Sequence, residues 1–367
     1  MEFIPLMKPN ITEEDIEEAA RVLRSGMLIQ GKEVEDLEMN FKTFNKIQHA
    51  VAVSNGTATL HLALLALGIG KDDEVIIPAF SYIATANVVE LVGATPIFVD
   101  IDIDTFNIDT IKIEQAITSR TKAIMPVHEF GLAADMAPIM KIAKAHKLYI
   151  IEDAACALGA TDNGQYAGTF GDVGSFSLHP RKAITSGEGG MLVTNNEALA
   201  AKFRVLRNHG IEMINGKMEF IEAGFNYRMT DFQAALVNSQ FKRMYAGLQH
   251  KQQLAEIYFK EITSSLIKLP VVPEGKTHSW QTFHVVLDET INRDELILKL
   301  KDAGVGTNYG AQCMPYMQYY QQKYALNCSS LFPNALRAYK QGLALPLYEK
   351  LTGEDIKNIS RIINQIV

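Results

Sequence analysis

Cysteine is scarce in this chain of 367 residues: Cys156, Cys313 and Cys328 are odd in number, widely spaced and outside any metal-ligand pattern. A disulfide framework and a cysteine-based metal site are therefore not expected, and reduced thiols in a cytoplasmic protein are. Positive charge is also short, with 35 Lys and Arg against 42 Asp and Glu for a formal charge of −7. Without a local basic block, a nucleic-acid surface is not expected. No uninterrupted apolar run reaches the length of a bilayer span, and Met1-Glu-Phe-Ile-Pro5 is no basic leader, so neither membrane nor export is expected.

Several nucleotide and metal motifs are missing too. Ser54-Asn-Gly-Thr-Ala-Thr59 does not fit the Gly-x-Gly-x-x-Gly of dinucleotide-binding folds, and no Walker-type Gly-Lys-Ser/Thr occurs. Asp100-Ile-Asp-Ile-Asp104 has the acids of a calcium loop, but Thr105 replaces its glycine and Ile111 its closing glutamate. No metal is expected.

What is present is alternation. His49–Val53, Glu74–Ile77, Pro96–Val99, Lys122–Met125, Leu148–Ile151, Val173–Ser177 and Met191–Thr194 read as short strands. Helical stretches separate several of them, including Ala58–Leu67 and Ala134–His146. This spacing predicts an α/β fold with a mostly parallel sheet sandwiched by helices, whose ligands sit at the carboxyl ends of the strands. Thr12-Glu-Glu-Asp15 reads as a capping box opening a helix that Ser25-Gly26 ends. Asp231 to Ile262 reads as one long or broken helix, and the texture changes after Pro270. The expected division is a large α/β domain over residues 1–240 and a smaller α+β domain over 241–367.

Within this frame, Ser175-Phe-Ser-Leu-His-Pro-Arg-Lys182-Ala-Ile-Thr-Ser-Gly-Glu-Gly-Gly190 sets a lysine between an apolar strand and a glycine-rich turn. A lysine partly desolvated at the end of a buried sheet can form a Schiff base with a carbonyl. On that reading Lys182 anchors pyridoxal phosphate; otherwise it is a solvated surface charge. The cofactor also needs a phosphate cradle, an acid at its ring nitrogen and a flat group on the ring. Ser54–Thr59 follows a strand and opens a helix, so its N–H groups make either an anion site or a plain capped start. Asp153 ends a strand where it can pair with the ring nitrogen, and alternation turns Glu152 to the opposite face. Tyr82 can cover the ring or serve as a structural aromatic, and Ser177 can reach the phosphate or be an ordinary strand serine.

The chain resembles the nucleotide-sugar aminotransferases of the DegT–DnrJ–StrS group, which are fold-type I pyridoxal phosphate enzymes. The resemblance runs through Ile4-Pro-Leu, Gly56-Thr-Ala-Thr-Leu-His61, Gly93-Ala-Thr-Pro-Ile-Phe-Val-Asp100, Pro126-Val-His128, Ile151-Glu-Asp-Ala-Ala155, the lysine segment and Gly224-Phe-Asn-Tyr-Arg-Met-Thr-Asp231. It implies that Lys182 is the Schiff-base lysine, Asp153 the ring-nitrogen partner and Tyr82 the stacking residue. It implies phosphate contacts from Gly56, Thr57, Ala58 and Ser177, and from Asn226 to the neighbouring subunit of a homodimer with shared active sites. Cys156 stands where many relatives carry glutamine or histidine near the ring hydroxyl. The expected reaction moves an amino group from an amino acid, L-glutamate by resemblance, to a keto sugar on a nucleoside diphosphate, a 4-keto-6-deoxyhexose. The cofactor would alternate between its pyridoxal and pyridoxamine forms. Gln30, His179, Arg181 and Tyr309 are candidates for the sugar pocket. The alternatives are a 3-keto-sugar aminotransferase, a sugar dehydratase and a non-enzymatic relative. Relatives that become dehydratases carry histidine in place of this lysine, which favours transamination.

Overall fold

The computed structural model describes residues 2–367. Its main sheet has seven strands: β1 (His49–Val53), β2 (Glu74–Pro78), β3 (Thr95–Val99), β4 (Thr121–Ile124), β5 (Tyr149–Asp153), β6 (Val173–Ser177) and β7 (Gly190–Thr194). They lie in the order β1-β7-β6-β5-β4-β2-β3. All adjacent pairs from β6 through β3 are parallel, whereas β7 runs antiparallel to both β6 and β1. Every residue of β2 and β7 is buried, which explains their apolar runs without alternation: helices cover both faces. The fold class expected from the sequence is the one observed.

Local signals set the helix boundaries. Glu13–Ser25 begins at a reciprocal capping box between Thr12 and Asp15 and stops at Gly26, whose φ of 74° suits glycine. The long helical stretch is broken into Asp231–Phe241 and Met244–Glu261. Among the elements that went unread in the sequence are the helix Lys32–Asn45, the helix Glu197–Arg207 and the hairpin that pairs Ile211–Ile214 with Lys217–Phe220.

A second hydrophobic core gathers around a small antiparallel sheet of Ile267–Lys268, Phe283–Leu287 and Gly342–Leu345. Leu254 and Tyr258 of the Met244–Glu261 helix pack there. Ile356, Ile359 and Ile363 of the closing helix Gly353–Ile366 join them at the spacing of one helical face. Ile4 enters the same core through a parallel bridge to Val305. The carboxyl ends of β1, β4, β5 and β6 are left to converge on one place.

Candidate active site

The helix Gly56–Ala66 starts immediately beyond β1. Asn55 caps it, its side chain accepting from the Ala58 N–H at 2.8 Å. The Ala58 amide is therefore already engaged, whereas Gly56 and Thr57 occupy the first turn, whose N–H groups have no helical acceptor. Gly56 lies hard against the end of β6: a Cβ there would fall 2.8 Å from Ser177 Cβ and 3.1 Å from Ser177 Oγ. The backbone can approach Ser177 this closely only because residue 56 lacks a side chain. Free amides, a helix dipole and one hydroxyl thus come together in an arrangement that can hold an anion.

Lys182 rides on residues 178–189, the connection between β6 and the antiparallel β7. That connection is tightly held. Leu178 N–H donates to Gly189 C=O at 2.8 Å and Ser186 N–H to Leu178 C=O at 3.1 Å. Gln240 clamps Thr185 from the Asp231–Phe241 helix, accepting from its N–H at 3.0 Å and donating to its C=O at 2.7 Å. From this frame Lys182 Nζ reaches Cys156 Sγ at 3.0 Å. Burial raises the Cys156 pKa, Lys182 opposes that rise and Glu129 adds to it.

Strand alternation sorts two adjacent acids. Glu152 is fully buried on the far face, where it accepts from the N–H groups of Gly168, Phe170 and Gly171 at 2.8, 2.6 and 2.7 Å. His128 Nε2 meets it at 2.8 Å, while His128 Nδ1 accepts from Ala134 N–H at 3.0 Å, so Nε2 carries the proton. Asp153 faces the site, 5% exposed, with Thr85 Oγ1 donating at 2.8 Å and Ala155 N–H at 3.2 Å. Burial raises its pKa, against the pull of Thr85, Ala155, Lys182 and His128.

Two residues of this cluster were not singled out in the sequence. Thr85 begins one turn beyond Tyr82, so the signal was its place in a segment already noted. Glu129 follows the Pro126-Val-His128 segment and is 4% exposed. Burial and the Asp153 charge push its pKa up to about 8, with Lys182 working against them.

The other candidates are more open. Tyr82 is 66% exposed, and Asn226 is exposed at a bridge between its own backbone and that of Asn208. Gln30 sits in a loop fixed by Asp231, which accepts from Gly31 N–H at 2.7 Å. His179 and Arg181 precede Lys182 on its own loop, and a cleft lined also by Lys8, Arg243, Lys251 and Glu349 opens beside Arg181 and Lys182. Tyr309 packs edge-on against Tyr339, with ring centroids 5.7 Å apart. The described side chains bring Lys182, Asp153 and Cys156 into direct electrostatic reach of one another.

These residues fit pyridoxal phosphate: an amine, a buried carboxylate, and an anion cradle that a Cβ at residue 56 would obstruct. The comparisons agree. Residues 9–364 match the DegT/DnrJ/EryC1/StrS aminotransferase family. The chain is 40% identical over 341 residues to a GDP-perosamine synthase of Caulobacter vibrioides, covering 92% of this chain and 91% of that one. It is 38% identical to the spore coat polysaccharide biosynthesis protein SpsC of Bacillus subtilis, covering 100% and 97%. A solved sugar aminotransferase of Streptococcus pneumoniae in its PMP form superposes with a TM-score of 0.92 at 29% identity, covering 100% of this chain and 98% of the other. The same protein is also known in a PLP form. The chain belongs to the DegT/DnrJ/EryC1/StrS aminotransferase family, and the cofactor its residues fit is pyridoxal phosphate.

Proposed function

We propose that this aminotransferase moves an amino group from L-glutamate to the keto carbon of a nucleotide-linked sugar, a 4-keto-6-deoxyhexose. The observation that carries the reading is the meeting of Lys182 with buried Asp153 and the Cys156 thiol beside the Gly56–Ser177 anion cradle. Relatedness to a GDP-perosamine synthase supports a nucleotide-linked sugar as acceptor. Lys8 and Arg181 in the cleft suit an anionic diphosphate or donor carboxylates, whereas Arg243 there is held by Asp15.

Bound pyridoxal phosphate supplies a carbonyl carbon that accepts and returns nitrogen, and a ring that withdraws electrons. Lys182 holds that carbon and, when displaced, takes a proton from the donor's Cα and delivers it to the cofactor carbon it left. Asp153 keeps the ring nitrogen protonated, and Thr85 fixes the Asp153 carboxylate for that task. Gly56, Thr57 and Ser177 hold the phosphate; Ala58 contributes through the turn that its bond to Asn55 organises. Tyr82 covers the ring, and Cys156 stands by the ring hydroxyl. Asn226 reaches the phosphate of a second copy, which makes the working form a homodimer. Exposed Met27, Ile29 and Phe220, between 70% and 75% accessible, support a covering partner of that kind. Gln30, His179, Arg181 and Tyr309 line the sugar side.

Half-reaction spectroscopy tests the proposal. The cofactor-loaded protein should lose its visible absorbance on adding L-glutamate and regain it on adding a nucleotide-linked keto sugar, with ping-pong kinetics. Lys182→Ala should abolish both changes; turnover near the wild-type rate in that variant would refute the assignment. A panel of keto sugars identifies the acceptor, and amination of 3-keto sugars alone would overturn the C4 choice.

A further inference from the structure

One buried acid has no part in the roles above. Glu129 stands two residues beyond Val127, whose backbone bridges to Asp153, in the loop that continues from β4. Its Oε2 is enclosed and has no hydrogen-bond partner among the described residues. Asp153, Lys182 and Cys156 lie within electrostatic reach of the carboxyl, and hydrogen bonding from the Ser81 hydroxyl and the Phe130 N–H pulls its pKa down without meeting Oε2. Neighbouring His128 is spent elsewhere, on Glu152 and Ala134. A polar atom left bare inside a protein costs about 1–3 kcal/mol, and such atoms call for an explanation.

Sheet order says which part of a ligand lies nearest. Asp153 ends β5, with the phosphate cradle on the β6 side at Ser177 and Gly56, and Glu129 on the β4 side. In pyridoxal phosphate the ring nitrogen and the aldehyde carbon are opposite each other. The phosphate arm leaves one edge between them and the hydroxyl group the other. With nitrogen at Asp153, the aldehyde carbon at Lys182 and the phosphate toward Ser177, the hydroxyl edge faces β4. We propose that Glu129 is a further cofactor-contacting residue, its Oε2 completing a hydrogen bond with the ring hydroxyl beside the carbon that Lys182 holds. This rests on the cofactor assignment above.

The protonation state suits the task. Near neutral pH Glu129 is largely a carboxylic acid, because burial and Asp153 outweigh the opposing Lys182 charge. Its O–H is then a donor to an ionised ring oxygen. The Cys156 thiol, a weak donor in general, already receives Lys182 Nζ at 3.0 Å.

The test uses the full-length protein stripped of cofactor, as wild type, Glu129→Leu and Glu129→Gln. Three quantities are read: pyridoxal phosphate affinity by titration, the melting temperature of the stripped protein, and the pH dependence of the bound cofactor's absorbance. Glu129→Leu should bind at least about tenfold more weakly, about 1.4 kcal/mol, and its absorbance should titrate at a displaced pH. The stripped Glu129→Leu protein should melt no lower than wild type, because an orphaned polar atom has been removed. Glu129→Gln keeps a donor and should bind within about threefold of wild type. Unchanged affinity and absorbance in Glu129→Leu would overturn the proposal. So would parallel losses of melting temperature and affinity in both variants, which would mark a structural role. Wild-type protein that fails to bind pyridoxal phosphate would instead sink the cofactor assignment itself.

Discussion

Replacing Gly56 by alanine probes the anion cradle with a single carbon. The residue opens a helix, where alanine is favoured over glycine by up to about 1 kcal/mol. Against that gain, the new Cβ would lie 2.8 Å from Ser177 Cβ, 3.1 Å from its Oγ and 3.4 Å from its Cα. Ser177 is part of a paired strand, opposite Gly190 and pinned by the adjacent bond from Leu178 N–H to Gly189 C=O, so it has little freedom to retreat. Overpacking of this kind costs about 1–3 kcal/mol, leaving the stripped protein destabilised by up to about 2 kcal/mol. If the helix start moves away instead, the amides and the hydroxyl no longer converge, and cofactor affinity should fall about 10- to 100-fold. A double-mutant cycle with Ser177→Gly isolates the clash, since that change removes the opposing Cβ and Oγ together. The cycle should show a coupling of about 0.5–3 kcal/mol, with Gly56→Ala far less harmful once Ser177 is gone. Titration with pyridoxal phosphate and urea unfolding of the four proteins supply the numbers. Wild-type affinity in Gly56→Ala, or strict additivity of the two changes, would refute the close-approach argument.

Thr85→Val keeps the shape but removes the hydroxyl that donates to Asp153 at 2.8 Å. A hydrogen bond to a buried charge is worth about 1.5–3 kcal/mol, so cofactor affinity should drop at least about tenfold. Because that donor lowers the Asp153 pKa, its loss raises the value further, and affinity should fail at a higher pH on the acid side. A pH series of titrations checks both effects. His284 is fully buried, stacked on Phe130 with centroids 4.3 Å apart, and burial holds its pKa at about 3 against an ordinary 6.5. The unfolded chain takes up a proton below about 6.5 that the folded chain refuses until about 3, so this group lowers stability as pH falls through that window. From pH 7 to pH 5 the loss is about 2 kcal/mol. His284→Leu should flatten that slope in urea unfolding, whatever it does to stability at pH 7; equal slopes would refute the assignment.

How legible this was in the sequence depends on how local each cause is. Reciprocal bonding at Thr12 and Asp15 spans three residues, and the opposite faces of Glu152 and Asp153 follow from strand alternation alone. Lys182 was legible because its loop announces itself by composition. The helix Lys32–Asn45 hides its start because the side chain that caps it is Asp231, which accepts from the N–H groups of Gly31, Glu33 and Val34 across some 200 residues. The hairpin around Asn215-Gly216 did carry a signal, the dipeptide favoured where two successive residues take positive φ, here 52° and 76°. Its strands alternate as well, with Ile211 and Met213 opposite Phe220 and Met218 and Glu212 opposite Glu219, although they are almost entirely exposed. Glu129 and Thr85 were not singled out for a different reason. Periodicity finds strands but does not order them, and only the order β5-β4-β2 brings Glu129, beyond β4, and Thr85, beyond β2, to Asp153.

The three acids around this cluster form a series in how far the protein itself satisfies them. Glu152 receives three backbone N–H groups and the His128 ring, and its charge is consumed in holding residues 168–171 to the sheet. Asp153 receives one hydroxyl and one N–H, enough to fix its orientation while leaving room to meet a cation. Glu129 has an oxygen, Oε2, that meets no hydrogen-bond partner among the described residues. Burial penalises all three ionised carboxylates, so the folded chain keeps a poorly satisfied acid only at a net cost. A fully bonded acid stabilises the fold whether or not a ligand is present, whereas an incompletely bonded one is compensated only on binding. Ranked by unmet bonding, the order is Glu129, Asp153, Glu152, and that is the order in which their replacement should shift from affecting ligand affinity to affecting folding.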